Sequence, residues 1–159
     1  MIIKTKFFGE VELDDDKVLE FSNGIIGFEH LKLYAILYDE DKEEATRISW
    51  LQSLEEPLLV LPIVDPSSVI ADYSPIIEDE LLTSLENNKD EDLLILVALS
   101  VPGEDMTKVT ANLKAPFIIN AETKKGAQII VENPDYPVKF NVYESIQAMK
   151  AKLNEKAGE

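Results

Sequence analysis

The stretch VTANLKAPFIIN, residues 109–120, constrains the fold of this chain more than any other. Every second position is apolar, which predicts a β-strand with one buried face. These positions are Ala111, Leu113, Ala115, Phe117 and Ile119. Because proline has no N–H to give to a neighbouring strand, Pro116 predicts a sheet edge, a bulge or a bend, with Asn112 and Lys114 displayed beside it. This stretch therefore predicts a β-rich domain.

Other apolar runs separated by turn residues predict further strands. They lie in a hairpin over 1–14, at 17–21, 33–39, 48–54 and 57–64, in a short stretch at 71–77, and at 93–99 and 127–133. The run at 93–99 is the most apolar, so we expect a central strand covered on both faces. Gly126 is predicted to supply the turn between the strands at 109–120 and 127–133. The fold class predicted from these patterns is mainly β.

Two segments have helical patterns. Asp79 at the start of DELLTSLEN predicts a short helix near 79–87. Asn141 and Glu144 resemble a capping box, and an apolar stripe with helical spacing follows at Val142, Ile146, Met149 and Leu153. We therefore expect a β-rich unit at 1–140 and an amphipathic C-terminal helical extension at 141–159 packed on the same domain. Docking of the stripe on a partner or on a second copy is the alternative.

The net charge of the chain limits the classes of partner that it can bind. The 159 residues carry a net charge of −16, while residues 141–159 hold three lysines and three glutamates, so the excess charge lies in 1–140. A negative surface repels phosphate groups, so we expect no direct binding of nucleic acid, although such a charge also serves solubility. No apolar run is long enough to cross a bilayer, and no secretory signal begins the chain, so we predict a cytoplasmic protein without a membrane partner.

The side-chain chemistry predicts no catalytic, cofactor-binding or metal-binding residues. The sequence has no cysteine and one histidine, His30, so thiol chemistry and multi-histidine sites are excluded within one chain. Paired acids such as Glu55-Glu56 and Glu78-Asp79-Glu80 would support an enzyme only if two carboxylates converged in a cleft. Solvated surface acids are the simpler interpretation.

Several motifs together resemble the FliW flagellar assembly factor family over residues 1 to about 140. They are TKFFGE (5–10), FSNGIIGFE (21–29), WLQSLEEP (50–57), Asp65-Pro66, Asp72-Tyr73, and TANLKAPFIIN followed by KKGAQII (110–130). The match departs at Ile26, where the family often has proline. The C-terminal helix lies beyond the most recognisable pattern.

This resemblance implies a small antiparallel β-barrel-like protein without an active site. It implies that the protein binds flagellin and, when flagellin is depleted, binds and antagonises CsrA, the translational repressor of flagellin synthesis. We expect a monomer when the protein is free of partners. A barrel that binds an unidentified small ligand is the alternative, and it would need a cavity with convergent polar groups.

Candidate protein-binding residues are the polar or irregular positions within the family motifs. They are Asp65, Asp72, Tyr73, Asn112, Lys114 and Pro116. The competing interpretation is that Asp65 and Asp72 shape turns and that Asn112 satisfies backbone groups.

Overall fold

The computed structural model describes residues 1–38, 48–85, 92–145 and 147. Its strands are β1 Ile2–Lys4, β2 Glu10–Glu12, β3 Leu19–Phe21, β4 Leu33–Tyr38, β5 Ser49–Ser53, β6 Val60–Val64, β7 Leu93–Ser100, β8 Thr110–Ala111, β9 Phe117–Asn120, β10 Lys125–Gln128 and β11 Phe140–Asn141. A short helix, α1, spans Asp79–Leu82 and continues as a 3-10 turn over Thr83–Leu85. The predicted mainly β class is confirmed.

Seven of these strands close into a barrel. Their order is β7, β6, β5, β4, β3, β10 and β9, and β9 then pairs with β7. Neighbouring strands are antiparallel except β3 and β10, which run parallel with Gly126 opposite Phe21. The β1–β2 hairpin forms a separate two-stranded sheet, and β8 and β11 extend the main sheet beyond β7.

Side chains fill the interior of the barrel. Buried residues there include Leu19, Phe21, Tyr34, Leu51, Ile63, Leu96, Phe117 and Ile119. The ring of Phe21 makes edge-to-face contacts with Tyr34 and Phe117, at centroid distances of 5.2 and 6.2 Å. The barrel is thus a packed core, as expected for a small barrel.

Three smaller apolar clusters pack outside the barrel. The β1–β2 hairpin contributes Ile3 and covers Ala35 of β4. Leu85, after α1, packs with Ile118 of β9 and Ile129. The third cluster, centred on Val97, Ala111 and Leu113, includes Val142 at the start of the C-terminal helix.

The prediction of one continuous strand over 109–120 was wrong. The chain leaves the sheet after β8 and returns at β9, because Pro116 cannot donate to a ladder and the Asn112 side chain takes two backbone N–H groups. Leu113 and Phe117 are buried, as predicted. Ile118 and Asn120, expected on the polar face, are buried too, since the segment around Leu85 covers that face.

Three other local predictions need correction. The strand predicted at 127–133 is observed as β10, which ends at Gln128, and residues 129–133 form no strand. Gly126 lies within β10, and the turn before it uses Lys124, whose φ is +64°. A Cβ at Gly126 would lie 2.6 Å from the Phe21 ring, so packing explains this glycine. Residues 71–77 form no strand, because Pro75 interrupts the segment. The backbone of Ile76 is instead hydrogen-bonded to a loop: its N–H donates to Asn133 Oδ1, and its carbonyl accepts from the N–H of Glu132.

The C-terminal helix begins at Val142, and its predicted cap is present: Asn141 Oδ1 accepts from the N–H of Glu144 at 2.9 Å. Val142 is buried, and the Ser145 hydroxyl donates to the carbonyl of Val69. The remaining stripe residues, Ile146, Met149 and Leu153, lie outside the described residues, as do positions 86 and 87 of the predicted first helix. The unit boundary at 140/141 therefore stays a prediction.

Candidate protein-binding surface

Three of the predicted contact residues lie in the connection between β8 and β9. Asn112 is half-buried, and its Oδ1 accepts from the N–H groups of Lys114 and Ala115 at 3.2 and 3.0 Å. Lys114 is half-buried, and its carbonyl accepts from the N–H of Val131. Pro116 is fully buried, so in this fold it supports the turn and is not displayed.

The two predicted aspartates shape turns and keep their carboxylates at the surface. Asp65 Oδ1 accepts from the N–H and the hydroxyl of Ser67, at 2.9 and 2.7 Å, and so caps the 3-10 turn Pro66–Ser68. Asp72 has a φ of +59°, a conformation that aspartate tolerates better than most side chains. Both remain exposed. The turn-shaping interpretation therefore describes their local role, and partner contact stays a prediction.

Tyr73 joins two of the family motifs. Its hydroxyl donates to the carbonyl of Leu113 at 2.6 Å, and its ring stacks on Tyr136 at 4.8 Å. Burial raises the pKa of Tyr73 well above its usual range, and the Tyr136 hydroxyl adds to the shift. The structure therefore brings Tyr73 together with the turn that holds Asn112 and Lys114.

The WLQSLEEP motif supplies polar side chains that sequence reasoning did not single out. Gln52 is fully buried: its Nε2 donates to the carbonyls of Ser53, Pro57 and Leu59, and its Oε1 accepts from the N–H of Lys6. The sequence offers one signal for this role: Gln52 lies within a predicted strand, between Leu51 and Ser53, and a polar side chain buried in a strand must find hydrogen-bond partners. Gln52 thus holds the β1–β2 hairpin and the β5–β6 loop against each other.

Glu55 of the same motif ties two loops together at one end of the barrel. Its Oε1 accepts from the N–H groups of Lys32 and Leu33, at 2.6 and 2.8 Å. These hydrogen bonds hold the pKa of Glu55 below its usual value. The β3–β4 and β5–β6 loops, residues 24–33 and 54–59, are therefore one surface, which we call the loop end.

The acidic residues do not converge in a cleft within the part of the chain that the structure describes. Glu78 and Glu132 approach each other, and their hydrogen bond raises the pKa of Glu132, but this carboxyl is fully exposed to solvent. Asp105 accepts from Thr107 and caps a turn. No group of three or more histidine, cysteine or acidic residues is placed to hold a metal ion among the described residues.

A small cavity lies at the barrel end opposite the loop end. It has a volume of about 160 Å³, and its lining consists of apolar side chains together with Asp16, Lys17, Tyr38 and Lys124. Pockets for drug-sized ligands are usually roughly 300–1,000 Å³. Within the part of the chain that the structure describes, neither the filled barrel interior nor this cavity has room for a drug-sized ligand, and the small-ligand alternative stays a prediction without a site there. None of the helices that the structure describes is long and apolar enough to span a membrane.

Known proteins match nearly the whole chain. The family profile described as FliW protein matches residues 2–142. A protein of Lachnoclostridium phytofermentans described as flagellar assembly factor FliW is 56% identical over 147 residues, which cover 92% of this chain and 94% of that protein. A protein of Lachnospira eligens with the same description is 45% identical, with coverages of 92% and 97%.

The fold also matches a solved structure. A crystal structure of the flagellar assembly factor FliW superimposes with a TM-score of 0.81 at 30% sequence identity, covering 90% of this chain and 97% of that one.

Proposed function

The chain belongs to the FliW family of flagellar assembly factors, and from this premise we propose that it acts by binding two proteins in turn. It binds flagellin while flagellin is present in the cytoplasm. When flagellin is depleted by export, it binds the translational repressor CsrA and antagonises it. Repression of flagellin synthesis is thereby relieved. In this role the protein is a cytoplasmic binding factor and not an enzyme, it needs no cofactor, and it is a monomer when free.

The observation that carries this proposal is a barrel whose interior is occupied by its own side chains. Among the described residues the barrel interior is filled, which supports a function on the outer surface, in the loops and outer clusters that the family motifs build. Those motifs fix Tyr73 against the 112–114 turn and tie the loop end together through Glu55. This is an arrangement suited to protein recognition.

The charge supports CsrA as one partner. Acidic residues outnumber lysine and arginine by 31 to 15, so the chain would keep its net charge of −16 even if every lysine and arginine were ion-paired. A protein that binds RNA must present basic surface to phosphates, and a negative partner is steered towards that surface. The same charge disfavours direct contact between this protein and the messenger RNA.

The salt dependence of CsrA association tests the proposal. We expect the association rate constant to fall by tenfold or more between about 0.05 and 0.5 M salt, because screening removes the steering, while the dissociation rate changes less. Stopped-flow or surface-based kinetics with purified CsrA would measure both rates, with labelled flagellin leader RNA as the negative control. Failure to bind either CsrA or flagellin would contradict the proposal, as would retention of the RNA by this protein alone.

A further inference from the structure

The loop between β3 and β4 holds two apolar side chains in water at the loop end. Ile26 is 54% exposed and Phe28 is 37% exposed, whereas the residue just before them, Ile25, is 3% exposed and packs in the barrel core. Leu58 of the adjoining β5–β6 loop is also exposed, at 71%. The loop end therefore presents apolar area that the described residues leave exposed.

Hydrogen bonds and glycine geometry fix the conformation of this loop. Gly24 has a φ of +68°, and a Cβ there would lie 2.5 Å from backbone atoms of Glu29, so the loop is folded tightly onto itself. The N–H of Phe28 donates to the carbonyl of Ile25 at 2.7 Å. These contacts fix the shape of the loop without a proline at position 26.

The loop is also tied to the barrel wall. The N–H of Ile26 donates to Gln128 Oε1 at 2.9 Å, and Gln128 Nε2 donates to the carbonyl of Ala115 at 3.1 Å. Apolar side chains presented by a rigid loop are ordered before binding, so their burial costs less entropy than burial of a mobile segment. Ile26 and Phe28 are such side chains, because the loop that carries them is held in place before a partner binds.

The loop end also contains more carboxylates than lysine or arginine side chains. Residues 24–33 and 54–59 contain Glu29, Glu55 and Glu56 against one lysine, Lys32, whose Nζ donates to the carbonyl of Glu29. Glu29 Oε1 accepts from the N–H of Gly27 at 3.2 Å. Backbone N–H groups hold the pKa values of Glu29 and Glu55 below their usual range, so both are ionised at neutral pH. The loop end therefore combines exposed apolar side chains with ionised carboxylates.

We propose that the loop end is the docking surface for a basic protein surface, with Ile26 and Phe28 as the anchors that become buried and with Glu29 and Glu56 facing basic side chains of the partner. The inference rests on the proposed function, in which CsrA is the partner with a basic, phosphate-binding surface. Charge complementarity selects this occupant, because a second copy of this acidic chain would be repelled. Interface anchors of this kind are typically rigid and apolar at the centre with a polar rim.

Matched substitutions test the surface. Ile26→Ser should weaken CsrA binding about tenfold or more, whereas Ile76→Ser, at the same 54% exposure but outside the loop end, should change it less than about twofold. Glu56→Lys should slow association several-fold, and Glu122→Lys, in the exposed turn before β10 at the opposite end, should slow it less. Calorimetry and association kinetics with purified CsrA and flagellin, together with melting curves, give the readouts.

The outcomes separate the surface from the function. Unaltered wild-type protein must bind CsrA, and a failure there would sink the proposed function, whatever the variants do. If the wild type binds and both Ile26→Ser and Glu56→Lys bind CsrA as tightly and as fast, the docking surface is wrong. Loss of flagellin binding with CsrA binding retained would also overturn it. Should Ile26→Ser melt below the assay temperature, Glu56→Lys and its control decide the matter alone.

Discussion

At the scale of single residues, Phe21 shows how one side chain secures closure of the barrel. Its ring contacts Tyr34 and Phe117 and lies where a Cβ at Gly126 would be. The strands that carry Phe21 and Gly126 are the parallel pair that joins the two halves of the barrel. The absence of a side chain at Gly126 therefore allows β10 to approach the aromatic core closely.

The burial of Phe117 leads to a prediction about stability. Phe117→Ala removes a ring that is 1% exposed in the barrel core, so we expect the free energy of unfolding to fall by roughly 3–5 kcal/mol. Lys114→Ala is the matched control on the same stretch and should cost far less, because the lysine is half-buried and its backbone carbonyl makes the hydrogen bond to Val131. Urea unfolding followed by circular dichroism would measure both. Parent-like unfolding of Phe117→Ala would contradict the assignment.

Two tyrosines, the buried Tyr34 and the half-buried Tyr73, predict loss of stability at high pH. Burial raises the pKa of Tyr34 to about 12 and raises that of Tyr73 still further, whereas an unfolded tyrosine titrates near about 10. The folded state then keeps protons that the unfolded state has lost, so the free energy of unfolding decreases as pH rises above about 10. The contribution is fully present below that pH.

Denaturant unfolding at a series of alkaline pH values tests this account. Tyr73→Phe loses the hydrogen bond to Leu113 and is less stable at neutral pH, yet its stability should fall less steeply with pH than that of the wild type. Identical pH slopes for the two proteins would show that Tyr73 does not titrate as described.

At the scale of elements, the predictions succeeded where the pattern was local. The β1–β2 and β4–β5 hairpins and α1 follow from alternation, turn residues and an acidic first turn. The pattern of residues 109–120 predicted one buried face, whereas the fold covers both faces. The period of a single stretch cannot reveal the distant segment that covers the second face. Asn120 is buried since Leu85, 35 positions earlier, accepts from its side chain.

The start of the C-terminal helix carries the prediction that belongs to this scale. Truncation after Phe140 would remove Val142, which is 3% exposed and whose N–H donates to the carbonyl of Val109. Lost burial of one such side chain costs about 1.5–3 kcal/mol, so melting should fall by several degrees. Binding of CsrA and flagellin should survive at temperatures where the truncated chain is folded. Unchanged melting with lost CsrA binding would show instead that the extension serves a partner.

At the scale of the whole molecule, length, charge and strand content were readable from the sequence, and the family motifs added the barrel. Strand order was not readable. Closure of the barrel depends on the pairing of β7 with β9 and of β3 with β10. The β3–β10 pairing places Phe21 opposite Gly126, although most of the sequence separates these two residues. Such pairings are selected by the packing of the complete core and not by any local signal.

The candidate site was readable only in part for the same reason. The motifs pointed to Tyr73 and Asn112, which the fold brings close together through Leu113. They did not reveal that Pro116 is buried or that Glu55 ties two loops into one surface. The contacts responsible lie between distant segments, and the role of the six predicted residues in partner binding stays a prediction.

The central claim is that this protein relieves repression of flagellin synthesis by binding CsrA and that flagellin competes for it. The most direct measurement is cell-free translation of a flagellin messenger RNA that purified CsrA represses. Adding this protein should restore translation in proportion to its ratio to CsrA, and adding purified flagellin should restore repression. Continued repression at an excess of this protein, or relief that flagellin does not reverse, would contradict the claim.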